Sequence, residues 1–210
     1  LGVQSLDNEV LSLSNRGHSA SQVYTASALI KKRGFVLGLQ MMVGLPGDAM
    51  DKDIFTAREF VKLAPSMVRI YPALVIKGTH MEDMYLKGEY HALSLDDAVH
   101  ICSKLDLIFT VYGINIIRIG LQPTDTINSK ADVVAGPFHP AFRELVESKI
   151  MNDMAMYMYK KLKHEAVEII INSRSLSKLY GGSKKYFSVL QASVGKSNLK
   201  IRIDDSMELN

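Results

Sequence analysis

The sequence predicts an α/β fold with parallel strands, on the basis of three observations. Short apolar runs alternate with segments of helical periodicity, in the order strand, helix, strand, helix, strand, from Leu1 to Tyr71. The connections are only a few residues long, as is typical of parallel strands joined by right-handed crossovers. The chain has 210 residues, of which 47% are hydrophobic, so it can bury the core of one large α/β domain.

The first elements can be placed from their capping residues. Leu1–Ser5 is a strand, and Asp7 caps a helix that runs to about Leu13. Ser21 is predicted to cap a second helix, whose basic last turn suits the negative end of the helix dipole and which stops at Gly34.

The later elements follow from the same patterns. The remaining predicted strands are Phe35–Val43, Met67–Tyr71, Asn115–Gly120, Glu165–Asn172 and Leu199–Ile203. The remaining predicted helices start at Asp51 or Asp53, at Ser94, at Ala141 and near Gly181. In parallel α/β folds the active site lies at the carboxyl ends of the strands. Here those ends are residues 4–5, 42–47 and 71–79.

The cysteine and histidine content excludes several classes of protein. Cys102 is the single cysteine, so a disulfide scaffold is excluded and a cytoplasmic location is expected. The six histidines show no ligand spacing, so no metal site is predicted. No apolar run reaches the roughly 18 residues that a membrane span needs. Because Leu1 lies directly inside an apolar run, we expect the chain to be a fragment.

Five short blocks at the strand ends and turns carry a family resemblance. They are Gly2-Val3-Gln4-Ser5, Asn15-Arg16-Gly17-His18, Gly44-Leu45-Pro46-Gly47, Arg69-Ile70-Tyr71-Pro72 and Gly78-Thr79. In order and spacing they resemble the second half of the radical S-adenosylmethionine (SAM) domain of the elongator catalytic subunit, over roughly residues 1–122. Oxygen-independent coproporphyrinogen III oxidase is a more distant match.

The resemblance implies an α/β fold of a particular kind, a partial (β/α) barrel of the radical SAM type. The barrel would be truncated at its N-terminal half, and a small α+β segment would follow it. In these families a cysteine triad holds a 4Fe–4S cluster that binds SAM and cleaves it to a 5′-deoxyadenosyl radical. The triad would lie in the missing N-terminal half, so no cofactor is expected in this chain alone.

The same resemblance implies the positions that face SAM. Gln4 would lie near the methionyl group, and Arg16 would meet the cofactor carboxylate, a task that a guanidinium fork suits. Gln40 matches an acidic position that faces the ribose in the porphyrin enzymes. The backbone at Gly44, Tyr71 and Ala73 would face the adenine.

The C-terminal segment carries a second resemblance, to a minimal KH-type RNA-binding module. Between Arg174 and Arg202 there are seven Lys or Arg residues and no Asp or Glu, although the whole chain has a net charge of only +3. A glycine loop there would let a phosphate backbone approach a helix. The family's loop ends in glycine, where this chain has Lys184. The residues expected to contact RNA are Lys178, Gly181, Gly182, Lys184 and Lys185.

Together these observations predict three segments and one leading function. Residues 1–122 would be the barrel half, 123–164 a loop and helical extension, and 165–210 the basic KH-like segment. The chain would belong to a radical SAM enzyme that modifies RNA, with tRNA as the expected substrate. Two alternatives stay open, a coproporphyrinogen-oxidase-like enzyme and a non-catalytic RNA-binding protein on a degenerate barrel.

Overall fold

The computed structural model describes residues 1–121, 132–162 and 166–207. It contains two compact units, Leu1–Phe142 and Arg143–Asn210. The sequence-based division into three segments is not tested by this partition and stays a prediction. Among the residues that the structure describes, no helix is both long and apolar enough to cross a membrane.

The first unit is an α/β structure built around a four-stranded sheet. Its elements are β1 (Gly2–Gln4), α1 (Asn8–Leu13), α2 (Ala20–Lys32), β2 (Gly38–Val43), α3 (Met50–Leu63), β3 (Met67–Pro72), β4 (Val75–Ile76), α4 (His80–Leu86), α5 (Leu95–Val111), β5 (Asn115–Ile119) and β6 (Val133–Ala135). The sheet has the order β1-β2-β3-β5 and every pairing in it is parallel, which confirms the predicted topology. The sheet is open, and β4 pairs with β6 in a separate antiparallel ribbon.

Alternation along the strands decides which face of the sheet is covered. In β2, Leu39, Met41 and Val43 are fully buried, whereas the residues between them are only half-buried. The buried face packs against α3 and α5, whose Phe60 and Phe109 rings lie 6.3 Å apart. One face of the sheet is therefore a helix-covered core, and the other carries the partly exposed residues.

Local capping explains where most of the helices begin. The Asp7 side chain accepts a hydrogen bond from Val10 N at 3.0 Å, and Ser94 Oγ accepts one from Asp97 N at 3.1 Å, as predicted. The prediction of Ser21 as a cap was wrong, because α2 begins after Ser19, whose N–H donates to Gln22 Oε1 at 2.8 Å.

Two further boundaries differ from prediction. Helix α3 begins after Ala49, which has no side-chain cap, so Asp51 and Asp53 lie in the first turn of the helix and not at its cap. Strand β2 begins at Gly38 rather than Phe35, which is 70% exposed in the preceding loop.

The second unit is a small α/β structure. Its elements are α6 (Phe142–Leu162), β7 (Val167–Ile171), α7 (Leu176–Tyr180), α8 (Lys185–Val194) and β8 (Leu199–Ile203). The two strands pair in parallel around a core of Ile171, Leu179, Phe187, Leu190, Val194 and Leu199. The helix predicted to start near Gly181 corresponds to α8, which starts at Lys185, whereas α7 before the glycine loop was not predicted. The start of the predicted strand at Glu165 lies outside the described residues.

Candidate functional site

The open face of the four-stranded sheet carries a row of polar residues. Gln40 of β2 lies opposite Arg69 of β3, and Arg69 lies opposite Arg118 of β5. A break in register after Val68 brings Arg118 into this row. A cavity of about 390 Å³ opens on this face, lined by Leu1, Gly2, Gly38, Leu39, Gln40, Met67, Arg69 and Ile117.

Two of the predicted cofactor-facing residues meet on this face. Gln40 Nε2 donates a hydrogen bond to Gln4 Oε1 at 3.4 Å, although the residues are 36 positions apart in the chain. Gln4 is 4% exposed and has a φ of 70°, a left-handed conformation that non-glycine residues seldom adopt. The strand end is therefore bent so that the amide of Gln4 is held beside that of Gln40.

The loop after β2 is fixed by contacts on both sides of Gly44. The Gly44 N–H donates to Asp48 Oδ2 at 3.1 Å, and its carbonyl accepts from the Tyr90 hydroxyl at 2.6 Å. Gly44 has a φ of +75°, and a Cβ there would lie 2.5 Å from Leu93 Cδ1. Only glycine fits this turn.

A pair of carboxyl groups lies beneath this loop. Asp53 is 2% exposed, and its Oδ2 has no hydrogen-bond partner among the described residues. Burial, followed by the negative charge of Asp48, raises the pKa of Asp53 to about 10. Burial also raises the pKa of Asp48, and burial together with the charge of Asp48 raises the pKa of Tyr90 to about 12. We therefore assign Asp53 as the protonated member of the pair at neutral pH.

The end of β3 is buried rather than open. Tyr71 is 9% exposed, and Ala73 is 1% exposed and packs in a cluster with Val10 and Leu45. The Ala73 N–H donates to Val43 O at 2.9 Å, and a Cβ on Gly136 would lie 3.0 Å from Ala73 O. The backbone N–H groups at both Gly44 and Ala73 are thus used within the protein, and their contact with adenine stays a prediction.

Arg16 is the remaining residue predicted to contact the cofactor. It is exposed in the turn after α1, where its backbone N–H donates a hydrogen bond to Leu11 O at 2.9 Å. Within the described ranges, no hydrogen bond or ion pair joins its guanidinium to the other predicted residues. Its role toward the cofactor carboxylate stays a prediction.

In the second unit, the glycine loop lies between two helices. Gly181 is buried, and a Cβ there would lie 2.9 Å from Ser148 Oγ, whereas a Cβ on the exposed Gly182 would meet nothing within 4 Å. Lys184 has a φ of 54°, so it adopts the left-handed conformation at the position where the KH loop has glycine. Close helix packing explains Gly181, and Gly182 is the glycine that leaves space for a ligand.

The basic segment is partly neutralised by acids that lie outside it in sequence. Lys178 Nζ lies 3.6 Å from Glu147 of α6, and Arg202 Nε lies 3.6 Å from Glu168. Lys184 Nζ lies 5.0 Å from the centre of the Tyr180 ring. The exposed lysines at the loop, Lys184 and Lys185, therefore form a smaller basic surface than the sequence count suggests.

Sequence reasoning missed several residues of these sites. The sequence predicts Asp53 only as a helix cap and predicts no role for Asp48 or Tyr90. The sequence predicts Arg69 and Arg118 only as members of apolar strands, with Arg69 also in one of the five blocks of the resemblance. A signal was present for the arginines, since each is the one charged residue inside a largely apolar five- or six-residue strand.

A comparison with protein families identifies the class of proteins that this chain resembles. Residues 65–152 match the family described as the radical SAM C-terminal domain. The chain is thus similar to the radical SAM enzymes in the region that contains β3, α5 and β5.

Comparison with individual proteins identifies more specific relatives within this class. The chain is 38% identical over 109 residues to a tRNA uridine(34) acetyltransferase of Methanocaldococcus infernus, covering 49% of this chain and 20% of that protein. It is 32% identical over 108 residues to human elongator complex protein 3, covering 50% of this chain and 20% of that protein. The alignments therefore span about a fifth of the length of these relatives.

A solved structure agrees with these relatives. The archaeal Methanocaldococcus infernus Elp3 with an N-terminal deletion superposes with a TM-score of 0.61 at 30% identity, over 78% of this chain and 36% of that one. Together the comparisons confirm the predicted resemblance to the elongator-like branch of the radical SAM enzymes. They give no support to the coproporphyrinogen-oxidase alternative.

Proposed function

We propose that this chain acts as part of a radical SAM enzyme that modifies tRNA, and that its four-stranded sheet forms one side of a partial (β/α) barrel. The observation that carries the proposal is the agreement between the radical SAM family match and relatives that are named as tRNA uridine(34) acetyltransferases. The open sheet supports it, because one face is sealed by helices and the other offers polar groups to an interior.

The residues present do not fit a 4Fe–4S cluster. Such a cluster needs several thiolates, and Cys102 is the only cysteine of the sequence. Its side chain is fully buried, and burial raises the pKa of its thiol well above the usual value, so it remains a thiol. We therefore propose that the cluster is held by other residues of a longer polypeptide and that this chain alone is inactive.

We infer that the polar face binds part of SAM. When bound beside a cluster, SAM supplies a 5′-deoxyadenosyl radical. The Gln4–Gln40 amide pair would orient the cofactor. One N–H of the Gln40 amide donates to Gln4 Oε1, and its second N–H could donate to SAM. The Asp48 and Tyr90 hydrogen bonds would hold the Gly44 turn in place against it.

RNA is the proposed partner of the second unit. The exposed Gly182, Lys184 and Lys185 lie together between α7 and α8, where a phosphate group could approach the lysines without steric hindrance. A cytoplasmic location remains part of the proposal on the basis of cysteine content.

Anaerobic reconstitution tests the proposal. The 210-residue chain should take up no stoichiometric iron, whereas a longer polypeptide that includes it should take up a cluster and form 5′-deoxyadenosine with a reductant. A cluster formed on this chain alone would contradict the assignment of the thiolates to other residues. A longer polypeptide with neither cluster nor 5′-deoxyadenosine would favour the non-catalytic RNA-binding alternative.

Arg16 has a separate test in the same longer polypeptide. Arg16→Ala should weaken SAM binding about 10-fold or more, because a charge-assisted hydrogen bond to the carboxylate is lost. Equilibrium dialysis with SAM measures the change, and Arg58→Ala, on the exposed side of α3, is the control. Unchanged affinity in Arg16→Ala would remove Arg16 from the cofactor site.

A further inference from the structure

Two arginines lie side by side on the open face of the four-stranded sheet. Arg69 of β3 and Arg118 of β5 are register partners on neighbouring parallel strands. The strands β1, β2, β3 and β5 contain no Asp or Glu. Two positive charges therefore occupy adjacent strands with no acid in the sheet to offset them.

Neither arginine has a partner within the part of the chain that the structure describes. Among those residues, no hydrogen bond or ion pair involves either guanidinium, in contrast to Lys178, Lys52 and Arg202, which all pair with acids. Like charges opposite each other on neighbouring strands destabilise a sheet. A bound anion would remove this repulsion.

The surrounding surface has room for such an anion. Arg69 and Gln40 line the cavity of about 390 Å³ on this face, a size within the range of small-ligand pockets. Gly38 also lines the cavity, and the Met67 side chain packs against it, since a Cβ on Gly38 would lie 3.0 Å from Met67 Cγ. Gln40, the register partner of Arg69 on β2, adds a neutral donor on the other side of Arg69 from Arg118.

We propose that Arg69 and Arg118 bind the phosphoryl group of a small anionic ligand, with Gln40 as a further donor. Two guanidinium groups match the double negative charge of a phosphoryl group better than the single charge of a carboxylate. The planar fork of each guanidinium can donate two parallel hydrogen bonds to phosphate oxygens. The proposal does not depend on the assignment of SAM or tRNA to the protein.

Titration of the chain with pyrophosphate at low ionic strength tests the proposal. Isothermal calorimetry should detect binding by the unaltered chain. Arg69→Gln and Arg118→Gln should each weaken the affinity about 10-fold or more, because each removes a charge-assisted contact. Arg69→Lys should weaken it less than Arg69→Gln, since the charge stays while the fork is lost. Malonate serves as a dicarboxylate for comparison.

Two controls separate a specific site from general attraction to positive charge. Arg58→Gln makes the same change of charge on the exposed side of α3, and Lys196→Gln makes it at an exposed position of the second unit. Both should bind pyrophosphate like the unaltered chain. Circular dichroism melts test whether each variant is folded. If the glutamine variants do not fold, Arg69→Lys, which keeps the positive charge, serves as the test variant.

Several outcomes would overturn the proposal. These are equal loss of affinity in Arg58→Gln or Lys196→Gln, undiminished pyrophosphate binding in all three arginine variants, or no binding by the unaltered chain. Tighter binding of malonate than of pyrophosphate would overturn the phosphoryl assignment. A self-association that sedimentation detects and that both glutamine variants abolish would assign the face to a second copy of the chain.

Discussion

Replacing Asp53 with asparagine should make the chain's stability less dependent on pH. The Asp53 carboxyl is 2% exposed beneath the Gly44 loop, and its Oδ2 lacks a partner among the described residues. Burial and the charge of Asp48 raise the pKa of Asp53 from its ordinary 3.8 to about 10. Asparagine has nearly the same shape as the protonated acid but cannot ionise.

The sign and size of the effect follow from proton linkage. Because the folded pKa is raised, the contribution of Asp53 is full below pH 3.8 and is lost as the pH rises toward the folded value. Above its ordinary pKa the unfolded carboxyl releases its proton while the folded one keeps it. At about 1.4 kcal/mol per pH unit, the free energy of unfolding should fall by about 3 kcal/mol between pH 5 and pH 7. The raised pKa of Asp48 acts in the same direction.

Urea unfolding followed by circular dichroism at pH 5, 6 and 7 measures this slope. Asp53→Asn should unfold at higher urea concentration than the unaltered chain at pH 7 and should differ less from it at pH 5. Asp83→Asn, at an exposed acid in the first turn of α4, is the matched control and should follow the unaltered chain. Parallel pH profiles for Asp53→Asn and the unaltered chain would refute the assignment of a proton to Asp53.

The second unit gives two further predictions. Gly181→Ala should lower the free energy of unfolding by about 1–2 kcal/mol, because φ is +55° and the new Cβ would lie 2.9 Å from Ser148 Oγ. Gly182→Ala, with nothing within 4 Å, is the control in urea unfolding, and equal effects of the two would contradict the packing explanation. Lys184→Glu together with Lys185→Glu should weaken binding of a single-stranded RNA. The slope of log affinity against log salt concentration should become shallower by the equivalent of about two phosphate contacts. If fluorescence anisotropy finds neither change, the loop does not contact RNA.

Most element positions were predictable because they depend on neighbouring residues. The Asp7 and Ser94 caps bond to N–H groups three residues away, and the predicted strand Asn115–Gly120 differs by one residue from the observed β5. The Ser21 cap was predicted wrongly because Ser19 offers the same chemistry two residues earlier. Local chemistry restricts the choice of cap to a few residues, and packing then selects one of them.

The candidate sites were less predictable because their contacts join distant residues. The Gln4–Gln40 hydrogen bond spans 36 positions, and the Tyr90–Gly44 bond spans 46. The seven cations from Arg174 to Arg202 looked unopposed in the sequence, yet Lys178 lies 3.6 Å from Glu147 of the preceding helix α6. Counting charges along the chain therefore overestimated the basic surface.

Most of the elements, their parallel arrangement and the family resemblance could be read from the amino-acid order. Periodicity, capping and strand-end motifs act within a few residues, so they are visible along the chain. Three other features required the folded chain: Arg69 meets Arg118, Asp53 is buried beside Asp48, and Gly181 packs against Ser148. These features depend on strand register, on removal of charges from water and on close packing. Each of them arises only when folding fixes how separate segments of the chain meet.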